Sequence, residues 1–136
     1  MTAELKERTF DFSLRIIRLV ESLPSTRIGE VFGRQILRCA TSVGANYRAA
    51  CRAKSQKDFL SKMKICEEEI DETLYWPELI KAAQVFPEGK LNAVISEANE
   101  LCAIITAICK TTASKIRNSS FNYASRFTSE IPGHEL

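Results

Sequence analysis

The chain has a single histidine, His134, close to its C-terminal end. A Ser or Cys nucleophile therefore has no nearby base to activate it, and a zinc site has no imidazole to share. Glycine is almost as scarce, at five. Gly29 and Gly33 stand singly in a helical context, so no glycine-rich loop cradles a phosphate. No NG or DG dipeptide joins two alternating runs, which excludes the strongest local signal for paired strands. The five cysteines, Cys39, Cys51, Cys66, Cys102 and Cys109, are odd in number and never spaced CxxC, and most fall on apolar helix faces. That usage fits reduced thiols better than a disulfide framework or a metal centre. No run approaches the roughly 20 uninterrupted apolar residues of a membrane span, and Lys6, Glu7 and Arg8 occupy the place of a signal peptide's apolar core. A cytoplasmic protein with no membrane partner is expected. No catalytic residue, metal or cofactor is assigned.

The residues that are present describe one helical domain. A hydrophobic share of 45% with 26% charged residues suffices for a single core at 136 residues. The net charge of +2 hides two opposite segments. From Arg27 to Lys64 nine basic residues face two acidic ones, and from Ile65 to Ala103 the ratio is reversed. The acidic group Glu67, Glu68, Glu69, Asp71 and Glu72 lacks the Glu-x-x-His pairs of a di-iron bundle. It is expected to be a solvated face with one or two ion-paired members.

Apolar residues recur at the helical period throughout. Leu5, Phe12, Ile16, Leu19, Val20 and Leu23 form one stripe, ended by Pro24 and Ser25, while Phe10, Leu14 and Ile17 face another way. A small bundle buries one such face comfortably, so the second predicts a contact with another subunit, with a covering loop or tail as the alternative. A second helix begins near Ile28 and carries Ile28, Phe32, Ile36, Cys39, Val43, Tyr47 and Ala50. Its flank of Ala40, Gly44 and Cys51 is small enough to let a neighbouring helix approach. Ser55-Gln56-Lys57-Asp58 resembles a capping box and starts a third helix with Phe59, Leu60, Met63, Cys66, Ile70 and Leu74. A second line runs through Ile65, Glu69, Glu72, Trp76, Leu79, Ile80 and Ala83, and becomes apolar after Pro77. Proline inside a helix predicts a kink or break near Thr73 to Trp76. Phe86-Pro87-Glu88-Gly89 makes the next turn. The fourth helix, from about Glu88 to Ile116, carries Leu91, Val94, Ile95, Ala98, Leu101, Cys102, Ile105, Ile108 and Cys109. The expected architecture is all-α: an antiparallel up-and-down four-helix bundle over residues 1–117, followed by a flexible C-terminal tail over 118–136.

Two constellations are candidate sites. Arg34, Arg38, Arg48 and Arg52 occupy the outward side of the second helix, and Lys54 and Lys57 continue the positive run. This face suits the phosphates of RNA or DNA, and equally a solvated surface or an acidic protein partner. Lys110, Lys115, Arg117, Phe121, Tyr123, Arg126 and Phe127 interleave cations with aromatics, a composition that suits base stacking or simple disorder. The second constellation is a polar latch of Ser42 and Asn46 with Glu69 or Glu72, with Arg38 as a further partner. It would fix helix register or a subunit contact, the alternative being that Asn46 fits a partly wet boundary.

The segment FGRQILRCATSVGANYRAACRAKSQKDFLSKMKICEEEIDET, residues 32–73, resembles a family of bacterial four-helix-bundle proteins encoded by intervening sequences of large-subunit ribosomal RNA genes. The resemblance rests on Gln35, Arg38, Ala40, Ser42, Val43, Ala45, Asn46, Ser55, Asp58, Phe59, Glu68, Glu69 and Glu72. It covers about residues 10–115. It implies a homopentamer of up-and-down bundles. In a related branch, the accessory proteins of diversity-generating retroelements, it implies a basic surface that meets nucleic acid and a reverse transcriptase. The chain departs from the common pattern at Gly44, where proline is frequent, at Arg48-Ala49-Ala50, where Ala-Glu-Gly is frequent, and at Pro77. From these signs the expected role is a non-enzymatic oligomeric scaffold that binds nucleic acid. A protein-binding accessory subunit is the alternative.

Overall fold

Hydroxyl side chains set where two of the helices start. Thr26 Oγ1 accepts from the Gly29 N–H at 3.1 Å, and Ser55 Oγ accepts from the Asp58 N–H at 3.0 Å, each satisfying a donor that the first helical turn leaves open. The Asp58 carboxylate reaches back to the Lys54 N–H, so the capping box closes one residue earlier than in its usual form. The computed structural model describes residues 2–129, and His134 lies outside them. Its elements are α1 (Thr2–Ser22), α2 (Arg27–Ala50), α3 (Gln56–Ala83) and α4 (Glu88–Ser129), with no strand among the described residues.

The helices run up and down in chain order. Each of α1, α2 and α3 packs on the next, and α4 closes on α1. That last seam is much the lightest, and charge reinforces it: Arg8 grips Glu97 with Nε–Oε1 at 2.6 Å and Nη2–Oε2 at 3.1 Å, and also holds Glu100. A forked guanidinium–carboxylate pair of this kind is the strong form of a surface ion pair. On the α1–α2 seam Gly44 faces α1, but the spacing does not require a glycine there. A Cβ at that position would lie 3.4 Å from the Thr9 carbonyl oxygen and 3.5 Å from Ser13 Oγ.

The core collects one stripe from each helix: Phe12 and Ile16, Ile36 and Val43, Met63 and Ile70, Leu101 and Ile105 are all fully buried. Ile28, expected on the α2 stripe, is half exposed. Its place is taken by the buried Gly29 and Gly33. At Gly29 the helix starts so close to the α1–α2 connection that a Cβ would collide with the Pro24 carbonyl, whereas at Gly33 it would press on the Val20 side chain at 3.1 Å.

Two expectations change in α3 and α4. α3 does not break: it is helical through Pro77, and its core face continues along Ile70, Thr73, Pro77 and Ile80 without switching sides. The ring of Pro77 is itself buried, and Thr73 can be buried because its hydroxyl donates to the Glu69 carbonyl at 2.6 Å. Packing along both flanks outweighs the one hydrogen bond that proline removes. α4 likewise continues past Ile116 to Ser129, so the first part of the segment expected as a tail is helical. Extending a formed helix requires no new nucleation, which lets a stretch without apolar period stay helical. From Arg117 to Arg126 every side chain is exposed, and at 1.5 Å per residue the stretch projects about 15 Å beyond the core. The side chain of Phe127 lies outside the described residues. By length and hydropathy α4 is the one described helix that could pass for a membrane span, although it holds no uninterrupted apolar run of that length. Its apolar face, from Leu91 to Cys109, is the face turned into the bundle.

Candidate nucleic-acid interface

The arginines of α2 do point outward. Arg34, Arg38, Arg48 and Arg52 are all exposed, as are Lys54 and Lys57 after the helix. They do not form one continuous face. Arg38 is engaged across the α2–α3 seam, where it bonds Glu72 and lies 3.5 Å from Glu69 Oε2. The Glu69 side chain is only 20% exposed, and its Oε2 is buried with no hydrogen-bond donor among the described residues. Arg38 is thus the counter-charge of a partly desolvated carboxylate, and its charge is spent there. Arg34 remains at one end of α2. Arg48, Arg52, Lys54 and Lys57 remain at the other, and by helical rise Arg48 lies about 20 Å from Arg34. None of these five side chains forms an ion pair among the described residues.

The polar latch separates into two devices. Arg38 with Glu69 and Glu72 ties α2 to α3. Asn46 instead bonds within its own helix, donating from Nδ2 to the Ser42 carbonyl at 2.9 Å and to Ser42 Oγ at 2.8 Å. Both amide bonds serve one turn of α2, because from Asn46 the short side chain reaches Ser42 before it reaches α3. The acidic group is otherwise exposed or paired locally, as in the Lys64–Glu67 contact of 3.2 Å.

The end of the bundle where α2 stops and α3 starts gathers further cations that a reading of α2 alone misses. Lys6 from α1 and Lys115 from α4 arrive beside Lys54. No periodicity signals this convergence, because these residues belong to separate helices and are brought together only by their antiparallel order. The outward face of α1 stays uncovered, with Phe10 63%, Leu14 37% and Ile17 38% exposed. Neither a covering loop nor the described part of the tail lies over it.

The thiols divide by burial. Cys39, Cys66 and Cys109 are buried, Cys102 is partly buried and Cys51 is exposed. Burial pushes the Cys66 thiol up to about 12 and also raises Cys39 and Cys109, so all three stay protonated at neutral pH. No cluster of three or more His, Cys, Asp or Glu side chains among the described residues is placed to hold a metal ion.

The family model described as 23S rRNA-intervening sequence protein matches residues 2–107. No curated protein matches the chain. Among solved structures, the chain is similar to a protein of unknown function of the S23 ribosomal protein family from Bacteroides thetaiotaomicron. The two are 32% identical with a TM-score of 0.72, over 77% of this chain and 97% of that one. The family match reaches from α1 into the buried part of α4 and leaves the projecting end of α4 outside. With the four-helix order and core described above, this places the chain in the family of 23S rRNA-intervening sequence proteins.

Proposed function

We propose that the protein is a non-enzymatic, self-associating scaffold that binds nucleic acid through the cations of α2, the connection after it and the first turn of α3. The observation that carries this reading is the unspent charge of Arg34, Arg48, Arg52, Lys54 and Lys57, on a chain whose Arg8, Arg38, Lys62, Lys64 and Lys81 are all ion-paired. Self-association through Phe10, Leu14 and Ile17, into a pentamer as the resemblance implies, multiplies each weak phosphate contact. The family description refers to sequence inserted in 23S rRNA, which makes RNA the first nucleic acid to test.

The test is RNA binding by fluorescence anisotropy between 50 and 200 mM salt. If each chain makes about four phosphate contacts, affinity falls about 50-fold over that range. Reversal of Arg48, Arg52, Lys54 and Lys57 to glutamate abolishes binding. Absent or salt-independent binding refutes the reading. It would favour an accessory subunit that meets a protein, for example a reverse transcriptase, and the exposed apolar face of α1 is the feature that supports this second reading.

A further inference from the structure

At the end of the bundle where α2 hands over to α3, a cleft of about 590 Å³ opens between three elements. Lys6, Lys54 and Lys115 line it, from α1, from the α2–α3 connection and from α4, and no carboxylate of the described residues does. None of the three ammonium groups has an ion-pair partner among the described residues. Asp58, the acid beside Lys54, is held at 2.6 Å by Lys62 and accepts from the Lys54 N–H. Like charges converging on one cleft repel each other, and a bound anion removes that repulsion.

The donors fit a phosphate better than a carboxylate. Lysines act as separate point charges around a tetrahedral dianion, whereas a planar carboxylate is matched by the fork of an arginine. The first backbone N–H groups of α3, on Gln56 and Lys57, find no acceptor among the described residues, and α3 is 28 residues long. Ser55 Oγ accepts from the Asp58 N–H and so keeps its own proton to donate. Beside these donors the half-buried ring of Phe59 supplies an apolar wall, the surface a nucleobase or sugar would use.

We infer that this cleft binds a phosphomonoester carried on a nucleoside, either a free nucleotide or the 5′ end of a strand. The inference does not need the nucleic-acid reading above, because a single nucleotide suffices to occupy the cleft. Cys51 lines the same cleft and is exposed, which makes its alkylation a local reporter.

The experiment measures iodoacetamide labelling of Cys51 and Cys102 in the full-length protein, by mass spectrometry, against rising adenosine monophosphate. The expected result is saturable protection of Cys51 with none at Cys102. Protection weakens at least tenfold in Lys54→Gln/Lys115→Gln and is unchanged in Arg18→Gln, each variant first shown to melt as the parent does. Absent protection, or equal protection in the double variant, overturns the inference. Replacing the mononucleotide by an oligonucleotide with a 5′ phosphate identifies the source: tenfold tighter protection assigns the cleft to strand ends, and equal protection assigns it to free nucleotides. An oligonucleotide with a 5′ hydroxyl that protects as well as its phosphorylated form overturns the phosphomonoester assignment.

Discussion

Gly29→Ala and Gly44→Ala make the same chemical change inside the same helix and should shift stability in opposite directions. At Gly29 an added Cβ falls far inside van der Waals contact with the Pro24 carbonyl oxygen and 3.1 Å from the Pro24 carbonyl carbon. Both are backbone atoms, so the α1–α2 connection must move, and forced overpacking of this kind costs about 1–3 kcal/mol. The movement also pulls on the Thr26 cap, whose bond to the Gly29 N–H is 3.1 Å long and is worth about 1 kcal/mol. Alanine's better helix propensity returns about 1 kcal/mol, which leaves a net loss of about 1–3 kcal/mol. At Gly44 the new methyl meets Thr9 O at 3.4 Å and Ser13 Oγ at 3.5 Å, ordinary contact distances, so the propensity gain of about 0.5–1 kcal/mol survives. Thermal melts at one protein concentration, held fixed because the proposed self-association would couple to stability, should show Gly29→Ala lower by roughly 3–10 °C and Gly44→Ala level or slightly higher. A Gly29→Ala protein as stable as its parent would refute the close packing of the α1–α2 connection on α2.

Arg38→Ala should lower stability by about 1 kcal/mol in urea denaturation, more than an exposed arginine usually contributes, because it leaves the buried Glu69 oxygen without its counter-charge. Adding Glu69→Gln should restore part of the loss, and no difference between the single and double variants would disprove the clamp. Gln84 ends α3 in the left-handed region at φ 57°, so Gln84→Gly should raise stability by about 1 kcal/mol, and a drop on calorimetry would contradict that backbone. Desolvation raises the Cys66 thiol from 9.0 to about 12, so the folded chain keeps a proton that the unfolded chain releases. Its contribution is therefore intact below pH 9 and declines between pH 9 and about 12, by about 1.4 kcal/mol per pH unit. Cys66→Ala should flatten that alkaline decline, and an unchanged pH profile would argue against it. Phe10→Asp with Leu14→Asp should yield monomers by light scattering without loss of helicity, since both side chains are exposed within one chain. Persistence of the parent's assembly would remove α1 as the subunit contact.

The helices and most of their buried stripes were legible in the sequence because a 3.6-residue apolar period is a local property. Phe12, Ile36, Ile70 and Leu101 each lie on the face that their spacing assigns. Capping was legible for the same reason, since Ser55 and Asp58 are neighbours in the chain. Pro77 misled because its cost is local while its compensation, burial against neighbouring helices, is not. The end of α4 misled because a stretch without an apolar stripe can still extend a helix that packing elsewhere has nucleated.

The candidate site divides along the same line. Composition and spacing alone determined that α2 carries arginines on its outer side and that α1 has a second apolar face. Which cations remain free was decided only by tertiary structure. Arg38 is claimed by carboxylates 31 and 34 residues further along the chain, and Lys6, Lys54 and Lys115 share a cleft although they come from three different elements. An ion pair or a cleft is defined by distance in space, and the antiparallel stacking of helices sets that distance independently of the period that forms each helix.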